Sequence, residues 1–153
     1  MKNILLVFLC VINCSVAIAD DAIDAVTKPV LELIQKGEYK ALATAAFPEK
    51  SRIREYISPA DIKQLNTEME SYLRTMGKSY GYDLHHVSKI DGLFEIRYYL
   101  FRFERQPVIV KVGVYKPNKK WEFQEFSLDF NLDDYIEKFA EEAIGKSASV
   151  SNR

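Results

Sequence analysis

The stretch DGLFEIRYYLFRFERQPVIVKVGVYKPN, residues 91–118, decides the fold. It opens on Asp91-Gly92, which accepts the positive-φ backbone of a tight reversal, and closes on Pro117-Asn118, a second reversal signal. Between them the chain is β-branched and aromatic, as strands are. Val108, Val110, Val112 and Val114 alternate with Ile109, Lys111, Gly113 and Tyr115, so one face of that strand is a continuous valine stripe. Before it, Phe94, Ile96 and Tyr98 alternate, and then Phe101 and Phe103 do so one residue out of phase. Such a slip within a strand predicts a β-bulge.

Working outward, residues 80–90 and 121–130 complete a set of four strand-like runs separated by turn signals. The last run slips as well, from Trp121 and Phe123 to Phe126, Leu128 and Phe130. Consecutive reversals predict an antiparallel meander, and two bulges in it predict a sheet curled into a half-cone. The alternative is a sheet partly buried on both faces.

Upstream of residue 79 the pattern is helical. Ile23, Val26, Val30, Leu33 and Ile34 recur at helical spacing over 21–36, with Asp20 or Asp21 as cap and Gly37 as stop. Pro29 interrupts this pattern, so a start at 27–29 is the alternative. A second helix is predicted over 38–46 and a short turn or helix near 53–57. Ser58-Pro59-Ala60-Asp61 opens a third helix, with Ser58 as cap, Pro59 in the first turn and Asp61 closing a capping box; it runs to about Met76 and stops at Gly77. Beyond the strands, Leu132, Tyr135, Ile136, Phe139 and Ala143 predict an amphipathic helix over 132–144, capped by Asn131 or Asp133, and then a frayed tail at 146–153. The fold class is therefore α+β: three N-terminal helices on a curved four-stranded antiparallel meander, plus a C-terminal helix.

Residues 1–19 read as a cleavable export signal. Lys2 supplies the charge, residues 4–12 the apolar stretch, and Ala17-Ile18-Ala19 the small-residue cut, so the mature chain begins at Asp20. Asn13 ends the apolar run after nine residues, short of the roughly 20 needed to span a bilayer. Leu9 before Cys10 and Asn13 before Cys14 fit a lipid-attachment site poorly. The expected destination is the periplasm or the outside of the cell, with no stable membrane anchor.

Both cysteines of the 153-residue chain lie in that segment. The mature chain, 20–153, then has no disulfide, thiol nucleophile or thiolate metal site, and must hold together by packing. Its size suits one domain, 20–145. Without Lys2, 20 basic and 22 acidic residues remain, interspersed along the chain. That balance predicts no nucleic-acid partner.

The opening helix ending at Gly37, the short helix over 38–47, the helix over 58–76 and the strand Trp121-Glu122-Phe123-Gln124-Glu125-Phe126 together resemble the NTF2-like (cystatin-like α+β) superfamily, over residues 22–130. The resemblance implies a pocket where helices close over the concave sheet face. It does not choose a function, since that superfamily includes isomerases, dehydratases, hydrolases and non-catalytic binding domains.

Candidate site residues follow. Asp83 and His85, two apart in a strand, share a face and can form a carboxylate–imidazole pair for general-base catalysis; the alternative is a solvated strand with ordinary polar side chains. His86 faces the other way. Tyr98, Phe101, Phe103, Trp121 and Phe123 are the expected lining of an apolar ligand pocket, with plain core as the alternative. Arg97, Arg102 and Arg105 alternate with Glu95 and Glu104, which suggests cross-strand charge pairs or one inward-facing carboxylate-binding arginine. Two histidines and scattered carboxylates lack metal-ligand spacing, and Asp129, Asp133 and Asp134 lack that of a calcium loop. No metal or cofactor is expected. The expected function is an exported, non-catalytic binding or interaction domain, holding a small apolar or amphipathic ligand or pairing with itself through the sheet. The alternative is a small isomerase- or hydrolase-type enzyme built on Asp83 and His85.

Overall fold

The computed structural model describes the backbone of residues 15–133, 135 and 137, and the side chains of 22–133, 135 and 137. It is α+β, with the helices packed on one face of an open four-stranded sheet in the order β1-β2-β3-β4.

Helix α1 (Ser15–Lys36) begins upstream of the expected cut after Ala19 and runs unbroken through Pro29. Pro29 is exposed, so its ring and its missing donor fall on the solvent side, where the carbonyl it leaves unbonded can be hydrated. The start at 27–29 is thereby corrected. Ile23, Thr27, Val30, Leu31 and Ile34 form the buried stripe. The segment expected as one helix over 38–46 is a 3-10 turn (Tyr39–Ala41) running into a short helix α2 (Leu42–Ala46), followed by a second 3-10 turn (Arg52–Glu55).

Helix α3 (Pro59–Thr75) carries the full capping box: the Asp61 amide donates to Ser58 Oγ, and the Ser58 amide donates back to the Asp61 carboxylate. Ile62, Met69 and Leu73 are its buried positions. It ends where Gly77 takes φ +82; a Cβ there would also strike the Glu104 side chain at 2.7 Å.

Strands β1 (Ser79–Ile90), β2 (Phe94–Phe103), β3 (Pro107–Tyr115) and β4 (Glu122–Asp129) form the expected meander. Asp91 and Gly92 both have positive φ, +48 and +66, which is the two-residue reversal that the sequence asks for. The valine stripe of β3 is completely buried beneath the helices. Opposite it on β2 stand Tyr99 and Phe101, and on β4 Phe123, Phe126 and Leu128.

The bulges are distributed differently from expectation. β4 has one: Gln124 is the extra residue between Phe123 and Glu125. β2 has none and pairs continuously with β3 from Phe94 to Arg102. The extra residues on that side belong to β1, one between Ser79 and Tyr82 and one, His85, between Leu84 and His86. The phase slip in β2 has another cause. Glu95 and Arg97 occupy the helix-facing side at the hairpin end, in register with Tyr99, Phe101 and Phe103, while Phe94, Ile96 and Tyr98 take the outer side. A buried ion pair inverts the polarity of the strand without moving its backbone.

Past β4, Leu132, Asp133, Tyr135 and Glu137 are helical; the rest of the 132–144 helix and the 146–153 tail lie outside the described residues, as does most of the 1–19 segment. Tyr135 packs edge-on against Tyr98 on the outer face at 5.6 Å. Burial, then the nearby Asp129 charge, pushes its hydroxyl up to about 12. No helix among the described residues is long and apolar enough to cross a membrane.

Replacing Ser58 with alanine removes the cap and is expected to cost about 1 kcal/mol in urea unfolding. The Asp61 carboxyl is held below its ordinary 3.8, first by the Ser58 hydroxyl and then by the Ser58 amide. Its contribution is full above that ordinary value and fades as pH falls through the lowered one. Urea titrations from pH 6 down to pH 2 should therefore show a smaller acid loss in Asp61→Asn than in the parent.

Candidate functional site

Three groups of side chains carry the candidate chemistry, and the sheet sets where each lies. Asp83 pairs with Leu100 on the outer face, 66% exposed, and its carboxylate accepts from Arg102 Nη1 at 2.6 Å. His85 is the bulged residue, the extra one between Leu84 and His86. The bulge breaks the rule that residues two apart share a face, because the ladder resumes at His86 opposite Tyr98. His86 takes the outer face, 3.1 Å from Ser88 Oγ and with its ring 5.7 Å from that of Tyr98. Neither histidine nor Asp83 lines the clefts described below.

The second group lies between α1 and the hairpin end of the sheet. Arg97 and Glu95 side chains are each only 4% exposed. Arg97 Nε donates to Glu95 Oε1, and its Nη1 donates to Asp24 of α1, both at 2.5 Å. Lys89 reaches the other Glu95 oxygen at 3.2 Å. Thr27 of α1 lies 3.5 Å from the Tyr99 hydroxyl, and Tyr99 also bonds Arg97. Burial alone would lower the Arg97 pKa, but hydrogen bonds to Glu95 and Tyr99 outweigh it, and the guanidinium sits above its ordinary range. Among the described residues of this group two cations, Arg97 and Lys89, meet two carboxylates, Glu95 and Asp24. Its role is to pin α1 to the sheet. The sequence suggested cross-strand charge pairs for these arginines; Arg102–Asp83 is one, whereas Arg97 pairs along its own strand and across layers.

The third group is a cleft of about 380 Å³ between α1, the end of α2 and the start of β4. Val26 and Pro29, Ala45 and Ala46, Pro48, Trp121 and Phe123 supply its apolar wall, while Lys50, Ser51 and Glu122 supply the polar groups. Phe123 is fixed by edge-on contacts with Phe47 at 6.0 Å and Phe126 at 6.2 Å. Lys116 Nζ stands 5.8 Å from the Trp121 ring centre. The residues on the helical side are small: Ala25, Ala45 and Ala46 contribute only methyl groups to the lining.

The five expected pocket aromatics are thus divided. Trp121 and Phe123 line the cleft. Phe101 and Phe103 are buried in the core, stacked 6.0 Å apart. Tyr98 is buried on the outer face against Tyr135. The sequence reading expected helices over the sheet but named lining residues from the strands alone, so the helical lining of the cleft was missed. The available signal was the alanine-rich run 41–46 shortly before Pro48. Among the described residues no cluster of three or more histidine, cysteine or acidic side chains can hold a metal ion. Neither a protein-family model, nor a curated protein, nor a solved structure matches this chain.

Replacing Arg97 with methionine leaves buried Glu95 facing the half-exposed Lys89 and is expected to cost about 3 kcal/mol, the lower end for breaking a buried pair, in chemical unfolding. The double replacement Glu95→Leu/Arg97→Met removes both buried charges and should recover most of that loss.

Proposed function

We propose that this protein is an exported, non-catalytic binding domain of the NTF2-like kind, holding a small amphipathic ligand in the Trp121 cleft. The carrying observation is the combination of an aromatic wall and an alanine-lined opening with Lys50, Ser51 and Glu122 beside it. Ligand sites are mostly apolar with a few polar groups that orient the guest. An alkyl chain suits the Trp121–Phe123 wall, and a polar head suits the lysine-bearing rim. Export rests on the 1–19 pattern; it places Asp20 and Asp21 at the start of a helix, where acidic residues are favourable. The bulges in both edge strands speak against pairing edge to edge and leave pairing through the outer sheet face as the second reading.

Trp121 is the only tryptophan in the chain, so its fluorescence reports the cleft directly. Titration with decanoate and dodecanoate below their micellar concentrations should give a saturable shift, tighter for the longer chain. Ala25→Phe, which fills the opening from an exposed position, should weaken binding at least tenfold. A linear, non-saturating response in the parent would refute the ligand assignment. Turnover that disappears in Asp83→Ala or His85→Ala would replace the non-catalytic reading with the enzymatic one. An intact mass starting at Asp20 in protein recovered after secretion checks the export step.

A further inference from the structure

A second cleft, of about 450 Å³, lies between α2, the Arg52–Glu55 turn and one face of α3, and shares no lining residue with the Trp121 cleft. Three cations line it: Lys40, Arg54 and Lys63. None of them forms an ion pair with a described carboxylate. The cleft's one carboxylate, Glu70, is already held by Arg74 at 2.7 Å. The sequence could not reveal this concentration of charge, because the three residues come from separate segments and acidic residues intervene between them.

The polar groups around these cations are ordered. Arg54 Nε donates to the Phe47 carbonyl at 2.8 Å, which fixes the guanidinium plane and leaves its Nη groups for another acceptor. Asn66 Oδ1 accepts from the Ala43 amide at 2.7 Å, and Asn66 Nδ2 donates to Thr44 Oγ1 at 3.0 Å. Since Thr44 Oγ1 accepts that bond, its own proton is directed elsewhere, and Thr44 lines the cleft. The cleft therefore offers an arginine fork, two ammonium groups and a hydroxyl donor, with no unengaged carboxylate among its lining residues. Arginine forks and ammonium groups are the groups that recognise a tetrahedral oxyanion of multiple charge.

We propose that this cleft binds a phosphate group, either free or carried on a lipid headgroup. The site is electrostatic where the Trp121 cleft is apolar, and the two are separately testable.

Calorimetric titration of the purified protein with inorganic phosphate at low ionic strength should give saturable one-to-one binding that weakens as salt is added. Lys40→Gln/Lys63→Gln should weaken it at least tenfold, and both positions are exposed, so the fold is expected to survive. Thr44→Val, close to isosteric, should weaken it severalfold, and Lys119→Gln/Lys120→Gln, in a remote turn, should leave it unchanged. In parallel, the protein is sedimented with phosphatidylcholine vesicles with and without phosphatidic acid. Phosphate binding together with capture by phosphatidic acid vesicles, competed by phosphate, identifies the headgroup as the source. Phosphate binding without capture identifies the free anion. Phosphate heats equal to those of chloride, or affinities unchanged in both the lysine and Thr44 variants, would overturn the proposal.

Discussion

On the helix-facing side of β3, positions 108, 110, 112 and 114 are all valine, and every one is completely buried. The rest of the fold depends on that stripe being covered. Valine is short, so the larger side chains of β2 and β4 rise on either side of it: Tyr99 and Phe101 on one flank, Phe123 and Phe126 on the other. The helical layer fills the space between them with Ile23, Val30, Ile34, Leu42 and Leu73. Burying these side chains is worth about 1.5–3 kcal/mol each, which is the dominant favourable term for a chain whose two cysteines are Cys10 and Cys14. At the hairpin end the β2 flank of the same face changes character: Glu95 and Arg97 stand opposite Val114 and Val112, and the Arg97–Asp24 bond carries the α1 contact there.

That change of character explains what the sequence revealed and what it concealed. Helix α3 was legible nearly to the residue because its signals are local: cap, proline, capping-box acid and terminal glycine all lie within a turn of the ends they define. The valine strand and the Asp91-Gly92 reversal were legible for the same reason. β2 misled because hydrophobic alternation assumes that buried means apolar. Glu95 and Arg97 are buried and charged, and their partner Asp24 is some seventy residues away. His85 misled because a bulge in an edge strand has no compositional mark, although it decides which way every later side chain of β1 points.

The candidate sites show the same division. Trp121 and Phe123 were found from the strand they lie on. Their apolar companions Val26, Pro29 and Ala45 come from two helices, brought beside β4 only by tertiary packing. The cations Lys40, Arg54 and Lys63 are farther still from being a motif: each is an ordinary exposed or half-exposed residue in its own segment, and only the packing of the two 3-10 turns beside α3 gathers them. A charge count over the whole chain averages such a cluster away.

The bulges at the sheet edges have a consequence for how one copy can meet another. An incoming strand needs a straight run of alternating amide and carbonyl groups to zip onto an edge. β1 interrupts that run before Tyr82 and again at His85, and β4 interrupts it at Gln124. Neither edge offers a long flat template for another copy. Edges interrupted in this way work against the strand-to-strand growth by which sheets extend into fibrils.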